Sequence, residues 1–288
     1  MSHCQAALLP DRGVLRVTGT DAHKLLQGII TNDIDKAKDG SAIHAGLLSP
    51  QGKILFDFFV LPHDGGFLIE APKDMLPEMV KRLGFYRLRA QVEIAEAPEF
   101  VVAALWDGTP ELPQGALSFP DPRLPELGSR VLLPAGVVGD LNCDESGADS
   151  YHARRIALGV PEGGRDYDFG DTFPHEALFD QLNGVDFKKG CFVGQEVVSR
   201  MQHRGTTRKR VVPVEGDAPL QSRAEVKAGD LPLGTVGSVS GVHGLALLRL
   251  DRAEDATAKG TALTCGEATV KLHRPSFAAF DVPAALPA

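Results

Sequence analysis

The stretch VDFKKGCFVGQEVVSRMQHRG, residues 185–205, fixes how the rest of the chain is read. A short strand over residues 185–187 meets a turn bracketed by Gly190 and Gly194. The spacing of Val197, Val198 and Met201 then predicts a helix with those three on one face. Cys191 falls at or just before the start of that helix, beside Lys188 and Lys189. A helix dipole and neighbouring ammonium groups both favour thiolate over thiol, and such settings bring a cysteine pKa from about 8.5 to roughly 3.5–7.5. The competing reading is a small buried hydrophobe, the commoner fate of a lone cysteine. His203, twelve residues on, stands roughly 18 Å away along a helix, so a Cys–His nucleophilic pair is not expected.

Upstream, mixed α and β patterns alternate. Residues 13–17 read as a strand, and Asp21 as the N-cap of a helix through Ala22, Leu25, Leu26 and Ile29. Residues 44–48 and 54–61 read as a hairpin around the turn Ser49-Pro50-Gln51-Gly52. Residues 66–70 form a further strand, and residues 73–83 a helix weakened by Pro77. Short strands follow at residues 92–94 and 101–105, then an irregular Pro- and Gly-rich connection over residues 107–128 and a helix over residues 150–158. Beyond Arg210, short apolar runs separated by Gly and Asp, with no convincing helix, read as a small antiparallel β-barrel or sandwich. The expected organisation is α+β, with residues 1–206 as one region and residues 207–288 as a C-terminal β-barrel.

The chain has 288 residues, enough for two domains, and 43% hydrophobic with 24% charged residues is a globular composition. No apolar run approaches the roughly 18–20 residues that cross a bilayer, so no membrane association is expected. The N-terminal residues lack a signal or transit pattern, which makes the cytosol the expected compartment. Four cysteines, Cys4, Cys143, Cys191 and Cys265, are scattered with no CxxC, so neither a disulfide framework nor a self-sufficient zinc site is expected. Cys4 reads as part of a loose tail. The net charge of −8 argues against indiscriminate nucleic-acid binding, yet residues 188–210 carry seven basic residues against Glu196 alone. That stretch suits a local anion site: a folate's glutamate tail, a phosphate backbone, or the C-terminal dipole of the helix. It has no aromatic stacking platform within residues 204–210, so direct nucleic-acid binding ranks lowest.

KGCFVGQE, residues 189–196, closely resembles the signature of the YgfZ family of folate-binding proteins, relatives of the glycine cleavage T-protein, an aminomethyltransferase. The resemblance continues through DAHKLLQGIITND (residues 21–33), GLLSPQGKILFDFFV (46–60), YRLRAQVEI (86–94), DPRLPELG (121–128) and RIALGVPEGG (155–164), covering essentially the whole chain. It implies a T-protein-like α+β fold of interleaved lobes around a central folate funnel, closed by a C-terminal antiparallel β-barrel. It also implies a folate-dependent accessory role in assembly or repair of [4Fe–4S] proteins, supporting tRNA modification through them, and leaves catalysis open.

The same resemblance implies tetrahydrofolate or a derivative as cofactor, with Asp57, Glu176, Lys189, Gly190, Gln195, Glu196 and Arg200 around it, and Cys191 as the functional thiol. Asp57 is similar to the acid that handles proton transfer at folate N5, against an exposed residue on an alternating strand as the plain reading. Glu176 is similar to the glutamate that grips the pteridine, because a carboxylate accepts two parallel N–H bonds from a pterin edge; its plain reading is an ordinary glutamate in the first turn of a helix. One cysteine cannot hold a cluster that wants four thiolates. Cys191 would therefore ligate a transient cluster shared with an A-type iron–sulfur scaffold protein, with [4Fe–4S] enzymes as clients. The alternative is a tetrahydrofolate-dependent aminomethyltransferase. Phe56 stands where T-proteins carry a second aspartate, which weighs against it. A cysteine-nucleophile hydrolase lacks a placed base.

Overall fold

The computed structural model describes residues 4–137, 141–205 and 207–283. The chain divides into two compact units, one built from residues up to Tyr151 with Leu182–Glu196, the other from His152–Gln181 with the residues after Glu196.

In the first unit, β1 (Gln5–Leu8), β2 (Arg12–Thr18), α1 (Ala22–Ile29), β3 (Ile43–Leu48), β4 (Ile54–His63), β5 (Gly66–Pro72), α2 (Leu76–Arg87) and β6 (Glu93–Glu96) follow one another. Strands β3-β4-β5-β2-β6 form an antiparallel sheet. Helix α1 buries Ala22, Leu25, Leu26 and Ile29 and helix α2 buries Leu76, Met79 and Leu83, all in one core with Leu15, Val17, Phe56, Phe58 and Val60. Each such large side chain contributes about 1.5–3 kcal/mol on burial. A second sheet takes β7 (Phe100–Trp106), β8 (Leu117–Pro120), β9 (Ser129–Pro134) and β10 (Asp144–Glu145) in the order β10-β1-β7-β9-β8. Helices α3 (Ala148–Leu158) and α4 (Gln195–Arg204) follow.

The second unit ends in a closed antiparallel barrel of β11 (Lys209–Gly216), β12 (Glu225–Ala228), β13 (Leu231–Ser240), β14 (His243–Arg249), β15 (Leu263–Cys265) and β16 (Ala268–Leu272), with α5 (Leu250–Ala258) between β14 and β15. The α+β class and the C-terminal β-barrel are therefore as expected.

Several local expectations are corrected. The tail does contain a helix: α5 buries Leu250, Ala253 and Ala256, a face of mostly small residues among Asp251, Arg252, Glu254 and Asp255, so its hydropathy signal is faint. Asp21 does stand at the N-cap of α1, but its carboxylate makes no capping bond and instead accepts the Gln91 N–H at 2.8 Å. Pro77 sits in the first turn of α2, where its missing N–H has no intrahelical partner to lose, and so begins the helix instead of weakening it. The connection over residues 107–128 holds β8, which pairs with β9. No strand forms at residues 185–187, because the Asp186 N–H turns to Thr31 O at 3.0 Å. Cys4 is no loose tail: it is 1% exposed and disulfide-bonded to Cys143, a pairing that distance in sequence concealed. Among the described residues no helix is long and apolar enough to cross a membrane.

Candidate functional site

The signature loop is stitched to the chain that leaves α1. Lys189, 8% exposed, donates its ammonium to three backbone carbonyls at the end of that helix, Gln27 O at 2.8 Å, Ile30 O at 2.7 Å and Asn32 O at 2.9 Å. It therefore satisfies the carbonyls that a helix C-terminus leaves without partners. Burial lowers its pKa to about 8, against the opposing pull of Asp33 and Asp186. Asp186 closes the turn before it by accepting the Lys188 N–H at 2.7 Å and the Lys189 N–H at 3.2 Å, and it pairs with Lys36 at 2.8 Å. Burial works to raise the Asp186 carboxyl, but Lys36 and those N–H groups outweigh it and hold it low.

From the other side, Thr31 Oγ1 donates to Gly184 O at 2.6 Å, and Asn32 Nδ2 donates to His44 O at 2.8 Å and Asn183 O at 2.7 Å. The motif segments at residues 21–33 and 185–196 are thus two halves of one contact.

Cys191 lies on this loop, exposed and free. Helix α4 begins at Gln195, four residues later, so the thiol is not in the helix's first turn, and of the two lysines expected beside it Lys189 points into the carbonyl cage while Lys188 is exposed. Of the other cysteines, Cys4 and Cys143 are bonded to each other, and Cys265 is buried, with its thiol pKa raised by that burial. The two signature glycines differ. Gly194 has φ +79° and a Cβ there would meet Ser49 O at 2.7 Å, so it must be glycine to pack on the β3–β4 turn. At Gly190 a Cβ would meet nothing within 4 Å, so its small size serves no packing within the described fold. Phe192 is buried, whereas Gln195 is half-buried and Glu196 exposed at the start of α4.

A second cluster in the same unit escaped the sequence reading. Arg123 forks onto Asp121, Nε to Oδ1 at 3.0 Å and Nη2 to Oδ2 at 2.7 Å. Arg130 Nε stands 3.6 Å from Asp121 and 3.9 Å from Glu70, which also pairs with Arg12. Tyr151 Oη accepts from Arg123 at 2.9 Å and from Arg130 at 2.7 Å. Both guanidinium groups lie over the Phe59 ring, at 5.0 and 5.4 Å. Burial pushes Asp121 upward, but Arg123 and Arg130 together hold its carboxyl below the usual range.

His44 packs edge-on to Phe59 and contacts Leu182 O at 2.9 Å through Nδ1. Burial first, then Arg123, lowers its pKa to about 4, while Asp57 acts in the other direction. Asp57 faces Gly46 in the β3–β4 ladder and is 8% exposed, so the plain reading of an exposed strand residue is corrected. A folded state that resists protonating His44 is opposed by an unfolded chain that takes up the proton near pH 6.5, so the unfolded state binds more protons between pH 6.5 and 4. Stability is therefore expected to be full above pH 6.5 and to fall by about 3 kcal/mol towards pH 4. His44→Gln should flatten that part of the profile in urea titrations across pH; an unchanged slope would assign it to other groups.

In the second unit, Glu176 Oε2 accepts the Phe173 N–H at 2.8 Å; residues 174–181 run through turns, so the helix start expected as its plain reading is corrected. Arg200 is exposed on α4, as are His203 and Arg204. Of the basic run, Arg210 is withdrawn from solvent: it forks onto Asp180 with both bonds at 2.9 Å and lies over Phe280 at 4.4 Å.

A family model described as the CAF17 C-terminal β-barrel domain matches residues 208–280. A mitochondrial IBA57 homologue of Neurospora crassa, an iron–sulfur cluster assembly factor, is 34% identical over 242 residues, 73% of this chain and 54% of that protein. The human mitochondrial assembly factor IBA57 is 33% identical over 264 residues, covering 81% of this chain and 71% of its own. The chain belongs to the IBA57 family. It spans about half the length of the first curated relatives it matches, 54% and 56%. The chain's fold is that of an aminomethyltransferase: the glycine cleavage aminomethyltransferase T of Bartonella henselae superposes with a TM-score of 0.77 over 96% of this chain and 87% of that one. Identity there is 18%, so the likeness establishes the fold and no activity. The family also corrects the expected compartment, because these relatives are mitochondrial proteins by name, not cytosolic ones.

Proposed function

We propose that the chain is an iron–sulfur cluster assembly factor of the YgfZ type that presents Cys191 as its own thiolate to a cluster shared with a partner. The observation that carries this reading is that, of four cysteines, Cys191 alone is both free and exposed. Its loop is anchored on both flanks, by Lys189 beneath α1 and by Gly194 against the β3–β4 turn. Next to the thiol, Gly190 leaves open space for an approaching surface. A cluster needing several thiolates is then cargo held between this chain and a scaffold of the A type, and [4Fe–4S] enzymes, including those of tRNA modification, are its clients. In a strain lacking the native gene, expression of this chain should restore [4Fe–4S] enzyme activity. A soluble, folded chain that leaves that activity at the deletion level would overturn the reading.

We further infer a reduced folate as ligand. The support is the signature resemblance together with Glu176, a carboxylate of the type that accepts two parallel N–H bonds from a pterin edge. The fit has one local condition, because a two-oxygen grip by Glu176 requires its bond to Phe173 to be given up. When bound, a tetrahydrofolate supplies one-carbon or reducing chemistry; Glu176 would orient it. Glu176→Ala should weaken tetrahydrofolate binding by roughly 1.5–3 kcal/mol, or about 10- to 100-fold, in calorimetry, relative to the exposed control Glu267→Ala. Equal affinities would remove Glu176 from the site.

A further inference from the structure

We propose that Cys4 and Cys143 form a reversible redox-modification site whose state sets the seat of Tyr151 beneath the buried arginines. This inference is independent of the function proposed for Cys191. The two sulfurs are bonded across 139 residues of sequence. Disulfides inside cells are seldom permanent staples and are more often transient and redox-sensing. Access is one-sided, since Cys4 is 1% exposed while Cys143 is half-buried at the surface of its segment.

A dithiol reductant therefore attacks at Cys143. Its thiolate bonds to Cys143 Sγ, the Sγ–Sγ bond breaks, and Cys4 leaves as a thiolate that takes up a proton. The reductant's second thiolate then displaces Cys143, which is protonated in turn, and the reductant departs as a disulfide, having given two electrons. Oxidation by a disulfide such as oxidised glutathione runs the same exchange backwards.

Besides this bond, the segment is held at the edge of its sheet by Gln5, whose Nε2 donates to Asp144 Oδ2 at 3.2 Å and whose Oε1 accepts from Ser146 Oγ, and by Leu141 in the core of that sheet. Strand β10 is two residues long and lies at the edge of its sheet, paired only as Gln5 with Asp144 and Ala6 with Glu145. Its backbone bonds run from Asp144 N–H to Cys4 O at 3.0 Å and from Ser146 N–H to Ala6 O at 2.8 Å. Helix α3 starts two residues after Ser146, and its buried residue Tyr151 accepts from Arg123 and Arg130. The Tyr151 ring lies 4.7 Å from the Arg130 guanidinium and 6.3 Å from the Trp106 ring. Trp106 in turn faces Gln5 across the β1–β7 ladder. Opening the bond at Cys143 releases the edge strand that aims the first turn of α3, and with it the hydroxyl that both arginines share.

Trp106 is the only tryptophan in the chain, so the protein carries its own reporter between Cys4's strand and Tyr151. The test uses the full chain, oxidised with glutathione disulfide or reduced with dithiothreitol. Cys4→Ser/Cys143→Ser serves as a permanently open form, and the reduced wild type replaces it should that variant not fold. Alkylation in denaturant should label two of the four cysteines in the oxidised chain and all four in the reduced one. On reduction, Trp106 emission should shift to the red, and the amides of Asp144 and Ser146 should exchange roughly tenfold faster or more while barrel amides do not change. Reoxidation should restore both signals. Identical emission and exchange in the two states would overturn the proposal. So would acceleration throughout the barrel, which marks a general staple, or a failure to reoxidise.

Discussion

Cys191→Ser is expected to leave the melting transition of the protein within about 1 °C and to abolish rescue of [4Fe–4S] enzyme activity in the deletion strain. The side chain is exposed, so its sulfur contributes little packing, and the oxygen that replaces it is a poor ligand for iron in a cluster. Cys265→Ser should behave in the opposite way, with rescue retained and stability reduced, because that thiol sits in the barrel core with Val226, Leu263 and Ala268. Full rescue by Cys191→Ser would show that the family role runs through a different group.

Asp121→Ala is expected to be the most destabilising single change in the first unit, at about 3–5 kcal/mol. It strips the fork from Arg123 and the neighbouring charge from Arg130, two guanidinium groups that are 6% and 1% exposed in their side chains. A buried charge that loses its partner retains its desolvation cost without the compensating attraction. At roughly 2–4 °C per kcal/mol, the transition of this unit should fall by about 6–20 °C in calorimetry. Asp121→Asn, which keeps shape and hydrogen-bonding capacity, should cost less. A loss below about 1 kcal/mol for the alanine variant would mean that water replaces the carboxylate.

The fold class was legible because its signals are local and periodic. The apolar face of α1, the Pro-Gln-Gly turn between β3 and β4, and the short apolar runs of the barrel each declare themselves within a dozen residues. Helix α5 was hidden because its inward face is largely alanine. The Cys4–Cys143 bond was hidden because it joins positions 139 residues apart, which no spacing rule reaches.

At the site, the signature pointed to Cys191 and to the need for glycine at Gly194, yet it misplaced Lys189. A lysine beside a cysteine in sequence reads as its electrostatic support, whereas the folded loop turns that ammonium inward to the end of α1. The arginine cluster was hardest to see, because Arg12, Glu70, Asp121, Arg123, Arg130 and Tyr151 come from distant segments and meet only once both sheets are packed. Its one sequence trace is DPRLPELG, where Asp121 and Arg123 are two apart and Gly128 must be glycine, since a Cβ there would lie 2.0 Å from Leu105 O.

The most direct test is spectroscopic. An A-type scaffold loaded with its cluster is mixed with this chain or with Cys191→Ser, and the visible absorption and circular dichroism of the cluster are followed together with its elution volume. With the wild-type chain the cluster should move into a larger complex with an altered spectrum, and with Cys191→Ser the spectrum should remain that of the scaffold alone. An identical spectral change and complex for both chains would contradict ligation by Cys191.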